Sequence, residues 1–129
     1  MSEVVLDASA VLAVLNDEPG AEEVYPYLPG ALLSTVNAAE VVAKLVDWGF
    51  AAEKAGSLLD RLGLEDARFE VHDVVQSASI RVASRTAGLS LGDRACLALA
   101  KRQGLPALTA DRQWLTIDVG VDVRMIRTP

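Results

Sequence analysis

Five short apolar runs, each too brief for a helix, punctuate this chain at regular intervals and constrain its fold more than any other feature. They are residues 4–6 (Val-Val-Leu), 31–34 (Ala-Leu-Leu-Ser), 69–71 (Phe-Glu-Val), 107–109 (Ala-Leu-Thr) and 121–126. Brief runs of this kind bounded by turn residues read as strands. Helical segments lie between them. Residues 8–15 end at the turn formers of 16–20, and residues 21–28 end at Pro29-Gly30. A third helix, capped by Thr35 or Asn37, spaces Val41, Val42, Leu45, Val46 and Trp48 by threes and fours before Gly49 stops it. Residues 51–62 place Ala55, Leu58, Leu59 and Leu62 on one face, with Gly63 beyond the end. Residues 74–85, capped by Asp73, offer Val75, Ile80, Val82 and Ala83 for burial, and residues 93–103 follow Ser90. Parallel strands need helical crossovers and become apolar on both faces, so the pattern predicts an α/β fold. The expected architecture is three layers, α/β/α, with a parallel sheet of about five strands.

The length of 129 residues suits one domain, taken here as residues 1–129. With 51% of residues hydrophobic and 23% charged, global disorder is excluded. The single cysteine, Cys96, sits in the apolar run Ala-Cys-Leu-Ala-Leu-Ala; it rules out an intramolecular disulfide and reads as core in a reducing compartment. No basic leader and no run of 18 uncharged apolar residues is present, so a cytoplasmic protein without a membrane segment is expected.

In a parallel α/β sheet the working groups sit outside the carboxyl ends of the strands. Asp7 directly follows the first run and Asp111 follows the fourth after one alanine, while Glu40 and Asp93 lie near the starts of helices leaving the same edge. Four carboxylates converging there would repel one another unless a cation sat among them. An all-oxygen set of this kind suits magnesium or manganese. Each acid also has a plainer reading. Asp7 is a good helix cap, Asp93 a first-turn acid, Glu40 the partner of Asn37 in a capping box, and Asp111 a turn residue. The other acids, including Asp17, Glu18, Glu22, Glu23, Asp60, Glu65 and Asp66, read as solvated surface. His72 reads as a surface or capping residue, which disfavours a histidine-based ribonuclease. One histidine and one cysteine exclude a zinc site of that type.

Val-Leu-Asp-Ala-Ser-Ala at 5–10, Asn-Ala-Ala-Glu-Val-Val-Ala-Lys-Leu at 37–45, Leu-Ser-Leu-Gly-Asp-Arg-Ala-Cys-Leu-Ala-Leu-Ala at 89–100 and Leu-Thr-Ala-Asp-Arg-Gln-Trp at 108–114 resemble the four acidic motifs of the PIN-domain ribonucleases. The likeness runs in order over essentially the whole chain, and within the superfamily it is greatest to the VapC-type toxins of type II toxin–antitoxin pairs. The resemblance implies that Asp7, Glu40, Asp93 and Asp111 are catalytic and hold one or two magnesium or manganese ions. It also places the hydroxyls of Ser9 and Thr109 near the site, and Asn37 is placed to orient Glu40 from one turn earlier. Gln113 stands where some relatives carry a further acid, and Asp118, available nearby, reads as a loop acid.

The activity so implied is a magnesium- or manganese-dependent endoribonuclease in which a cation-activated water attacks an RNA phosphodiester in line. Arg94 and Arg112 each adjoin a proposed ligand and can hold phosphates or the carboxylates themselves; Arg81, Arg85, Lys101 and Arg102 lie in the same half. The resemblance further implies a cognate antitoxin that covers the site and contacts DNA, so that this chain meets DNA only indirectly, and a homodimer. Apolar stretches at 12–15, 41–48 and 58–64 are available to either partner or to the core. Three alternatives stand beside this. One is a PIN-domain RNA-processing nuclease without a toxin role, and another is a non-catalytic PIN-fold binding module, although none of the four acids is missing. The third, a phospho-acceptor receiver, would want a lysine late in the chain, and none follows Lys101.

The net charge of −6 looks unsuited to RNA, but it is uneven. Residues 1–73 hold fourteen acids and four bases, whereas residues 74–129 hold four acids and eight bases.

Overall fold

A computed structural model describes residues 2–128. The elements are β1 (Val5–Leu6), α1 (Ala8–Leu15), α2 (Ala21–Val24), β2 (Leu32–Ser34), α3 (Thr35–Asp47), α4 (Ala52–Asp60), β3 (Glu65–Ala67), α5 (Val71–Ala83), α6 (Leu91–Gln103), β4 (Ala107–Thr109) and β5 (Val123–Met125). Single 3-10 turns lie at Tyr25–Tyr27, Arg85–Ala87 and Arg112–Thr116. All five strands are parallel, in the order β3-β2-β1-β4-β5.

Period-two alternation sorts the strand residues into two cores. Val4, Leu6, Leu33 and Leu108 face α1 to α4, where Ala10, Val11, Val24, Val41, Leu45, Ala55 and Leu59 cover them. Val5, Leu32 and Ala107 face α5 and α6, where Ile80, Cys96, Leu97, Leu99 and Trp114 complete the second core. The result is a three-layer α/β/α fold. The chain winds outward from β1 to β3, then crosses back to β4 over the other face. Right-handed crossovers require that change of face when the direction reverses. β1 is therefore the switch point in strand order, the place where such sheets form their working crevice. No helix among the described residues is long and apolar enough to cross a membrane.

Several expectations need correcting. The third strand is not 69–71 but Glu65–Ala67, paired with β2 from Leu32↔Glu65 to Ser34↔Ala67. It is one of the two edge strands, held by backbone pairing, and Glu65 and Asp66 are exposed; acids on an edge discourage further strands from adding. α5 starts three residues earlier than expected. Glu70 is its cap, and Asp73 completes a reciprocal capping box from inside the first turn. Of the four apolar residues offered for burial, only Ile80 is buried. Asp73, Ser77 and Ile80 are buried, while Val75, Val82 and Ala83 are exposed, Val82 at 70%.

The α3 cap is likewise neither Thr35 nor Asn37. Ser34 Oγ accepts from the Val36 amide at 3.2 Å, which leaves the Asn37 side chain free to be buried.

Candidate active site

Asp7 emerges from β1 at the switch point and caps α1, its Oδ1 accepting from the Ala10 amide at 2.9 Å. Ser9 Oγ donates to the same carboxylate at 2.7 and 2.9 Å, and Thr109 Oγ1, at the end of β4, donates to Oδ2 at 2.6 Å. Ser9 Oγ in turn accepts from the Ala110 amide at 2.9 Å, and Thr109 Oγ1 accepts from the Asp111 amide at 3.0 Å. Two hydroxyls thus stitch the ends of β1 and β4 around one carboxylate. Burial raises the Asp7 pKa from 3.8 to about 6, against the lowering by Thr109, Ala10 and Ser9; Asp93 adds a further raising influence. The capping and site roles of Asp7 coexist.

The second group joins α3 to α6. Asn37 Nδ2 donates both to Glu40 Oε1 at 2.8 Å and to the Gly92 carbonyl at 2.9 Å. Asn37 is fully buried and its Oδ1 has no partner. The sequence marks Asn37 as an orienting residue, but not what it leans on. That support is Gly92, where a Cβ would overlap the Glu40 carboxyl group. Glycine in a first helical turn costs helix propensity and is the one sequence signal for this close approach. Asp93, next in sequence, sits within the first turn of α6. Its Oδ2 accepts from the Ser90 amide at 2.9 Å while Ser90 Oγ accepts from the Asp93 amide at 3.2 Å.

Asp7, Glu40 and Asp93 share one neighbourhood, since all three push up the pKa of the buried Cys96 thiol beneath them, after burial itself. That thiol stays protonated and is core, as expected. Asp111 caps the 3-10 turn through the Gln113 amide at 2.9 Å, so its carboxylate is turned toward its own loop. Among the described residues, no three acidic, histidine or cysteine side chains already stand in a geometry that would hold a metal ion. The donor set, all carboxylate oxygens, nevertheless fits a hard cation in kind. Asp7 is an insufficiently compensated buried carboxylate, and Glu40 Oε2, Asp93 Oδ1 and Asp111 Oδ2 accept no hydrogen bond among the described residues.

The flanking arginines do not meet the carboxylates. Arg94 turns to α5, donating from Nη1 to the Ser77 carbonyl at 3.3 Å, and Arg112 is exposed with no ion pair among the described residues. Asp118 is exposed beside Lys101 and Gly120 near the far end of α6, away from Asp7. Arg102 pairs with Asp73, so it too is structural.

The sequence model of the PIN-domain family matches residues 4–120. No curated protein matches the sequence. Among solved structures, DNA-bound VapBC from Salmonella typhimurium superposes with TM-score 0.76 at 16% identity, over 98% of this chain and 100% of that one. A toxin–antitoxin complex from Klebsiella pneumoniae gives 0.75 at 15%, again over 98% and 100%. FitAcB from Neisseria gonorrhoeae gives 0.67 at 21%, over 93% and 95%. At these identities the likeness is one of fold.

Proposed function

The chain belongs to the PIN-domain family, whose members are generally nucleases, and from that premise we propose that it is a metal-dependent endoribonuclease acting as the toxin of a type II toxin–antitoxin pair. The observation that carries the reading is the buried Asp7 carboxylate at the switch point, bound by Ser9 and Thr109 and flanked by Glu40 and Asp93. One or two magnesium or manganese ions held by Asp7, Glu40, Asp93 and Asp111 would supply an activated water and neutralise charge on the leaving oxygen. The protein's own part is positional. Ser9 and Thr109 fix the Asp7 carboxylate, and Asn37 holds the Glu40 carboxylate close against Gly92. The Ser90 turn fixes Asp93 at its Oδ2. Groups held this way lose little freedom when a phosphodiester enters, which is where positioning lowers a barrier.

The partners follow the same reading. Solved structures that share this fold include toxin–antitoxin complexes. Most of the apolar stretches proposed for partners are core or pack against it, including Ala13, Val41, Leu45 and Leu59; Val46 and Trp48 stay exposed, with Phe50 just beyond, beside the acidic Asp47 and Glu53. That mixture suits a basic, apolar antitoxin segment. The exposed valines of α5, Val71, Val74, Val75 and Val82, form the face proposed for a homodimer.

Purified protein incubated with total RNA and manganese, with cut ends mapped, tests the activity. Cleavage by wild type that is lost in both Asp7→Asn and Asp93→Asn is the expected result; undiminished cleavage by both variants refutes it. Growth arrest on expression, relieved by the cognate antitoxin, tests the toxin role.

A further inference from the structure

Between the end of α5 and the start of α6 lies a cavity of about 200 Å³ lined by Arg81, Ser84, Arg85, Gly88 and Leu89. Arg81 lies in the last turn of α5 and Arg85 opens the 3-10 turn that follows, four residues on. The turn between them is firm. Ser84 Oγ donates to the Ile80 carbonyl at 2.6 Å, the Ala87 amide to the Ser84 carbonyl at 3.0 Å, and the Gly88 amide to the Arg85 carbonyl at 3.3 Å. Gly88, at φ 65°, takes the left-handed conformation that lets the chain leave the cavity and enter α6.

The charges here have no partners. Arg102, Arg124 and Arg127 each pair with a carboxylate, but the Arg81 and Arg85 side chains make no ion pair or hydrogen bond among the described residues. Nearby Arg94 meets only a carbonyl, and its Nε is buried without a partner. From residue 74 to residue 92 the chain has no acid at all, although it carries eighteen elsewhere. Two unpaired guanidinium groups one turn apart repel each other, and a neighbouring carboxylate would relieve that cheaply. Leu89 is followed directly by Ser90, whose amide holds Asp93, so one residue of chain separates the cavity lining from the cap of α6.

We propose that Arg81 and Arg85, across the Ser84–Gly88 turn, bind backbone phosphates of single-stranded RNA outside the scissile linkage and so set the direction in which the strand crosses the site. The assignment rests on the nuclease reading above but concerns binding, which is measurable without cleavage. A guanidinium presents a planar fork that matches phosphate oxygens, and two forks on a firm turn select for consecutive phosphates on a strand.

The test is fluorescence anisotropy of a labelled single-stranded RNA in EDTA with wild type, Arg81→Ala/Arg85→Ala and Arg81→Lys/Arg85→Lys over a salt series. Both arginines are exposed, and melting curves check that the variants fold. The alanine pair is expected to weaken binding by at least about tenfold at low salt. It should also make the slope of log affinity against log salt shallower by about 1.4, from two lost contacts at about 0.7 each. The lysine pair should keep most of that slope. In a set of RNAs carrying one neutral methylphosphonate each, one or two adjacent positions should weaken wild type and leave the alanine pair unaffected. Parallel salt slopes, equal methylphosphonate costs in both proteins, or a wild type that binds no RNA each overturn the proposal. A wild type that shows the full signature yet never cuts RNA with manganese supports the phosphate contact and counts against the nuclease reading alone.

Discussion

Replacing Asp7 by Asn should make the metal-free protein more stable. Asp7 is 4% exposed and its pKa in the fold is about 6, against an ordinary 3.8, with burial the largest cause. A raised pKa means that the folded state holds the proton more tightly than the unfolded chain. The contribution is therefore fully favourable only below about pH 4 and is lost as pH rises through 6. Above that, the ionised carboxylate costs about 3 kcal/mol, at about 1.4 kcal/mol per pH unit of difference. Between about pH 7.5 and about pH 5 this one group should return about 1.4 kcal/mol of stability.

Asparagine has the same shape and cannot ionise. Its oxygen can keep the Ala10 amide, and the hydroxyls of Ser9 and Thr109 can turn to accept from its amide nitrogen. The expected gain at neutral pH is thus about 1–3 kcal/mol, a rise of several degrees in melting temperature for a chain of this length. Urea denaturation in EDTA at the two pH values, for both proteins, measures it; comparing the two pH responses removes every other titrating group. Parallel responses in wild type and Asp7→Asn, or a variant less stable than wild type at neutral pH, would refute the reasoning.

Gly92→Ala should cut cleavage by at least about tenfold, because a Cβ there displaces the Glu40 carboxylate, while alanine's better helix propensity leaves the melting temperature unchanged or higher. Full activity in that variant would show that Glu40's position is not critical. Asp73→Ala strands Arg102 and opens the α5 capping box, so a loss of about 2–4 kcal/mol in denaturant unfolding is expected, against a near-neutral outcome if the pair is merely decorative. Val74→Asp, on the exposed stripe of α5, should convert a dimer to a monomer in sedimentation while shifting stability by less than about 0.5 kcal/mol; unchanged sedimentation would place the dimer contact elsewhere. Millimolar manganese should raise the melting temperature of wild type at neutral pH and not that of Asp7→Asn, and an equal rise in both would remove Asp7 from the ligand set.

The central strands were legible because they are buried on both faces, so Val4 to Leu6 and Ala107 to Leu108 must be apolar whatever else the chain does. β3 was not, because an edge strand is selected for pairing and protection, and Glu65-Asp66-Ala67 has no hydrophobic signal at all. α5 misled for a different reason. It packs on α6 through Asp73, Ser77 and Ile80, one ion pair and little apolar area, so the rule that the apolar stripe faces the core picks the solvent side. In the site, the acids at strand ends could be read from spacing, since topology alone delivers them to one edge. Their supports could not. Asn37 reaches across fifty-five residues to the Gly92 carbonyl and Thr109 across one hundred and two to Asp7, and contacts at that separation leave no local pattern.

The same locality explains how a chain of net charge −6 can serve an RNA substrate. At physiological salt a charge is screened beyond about 8 Å, so a phosphate responds to the few groups around it rather than to the total. Around the proposed path those groups are Arg81 and Arg85 in an acid-free stretch, followed by carboxylates whose charge one or two divalent cations would offset. Apart from Asp7 and Glu40, the acids of the first seventy-three residues are not part of that site, and they favour a basic partner. Acidity and phosphate binding conflict only if charge is averaged over the molecule. The unpaired arginines, retained where one nearby carboxylate would have stabilised them, are what the average conceals.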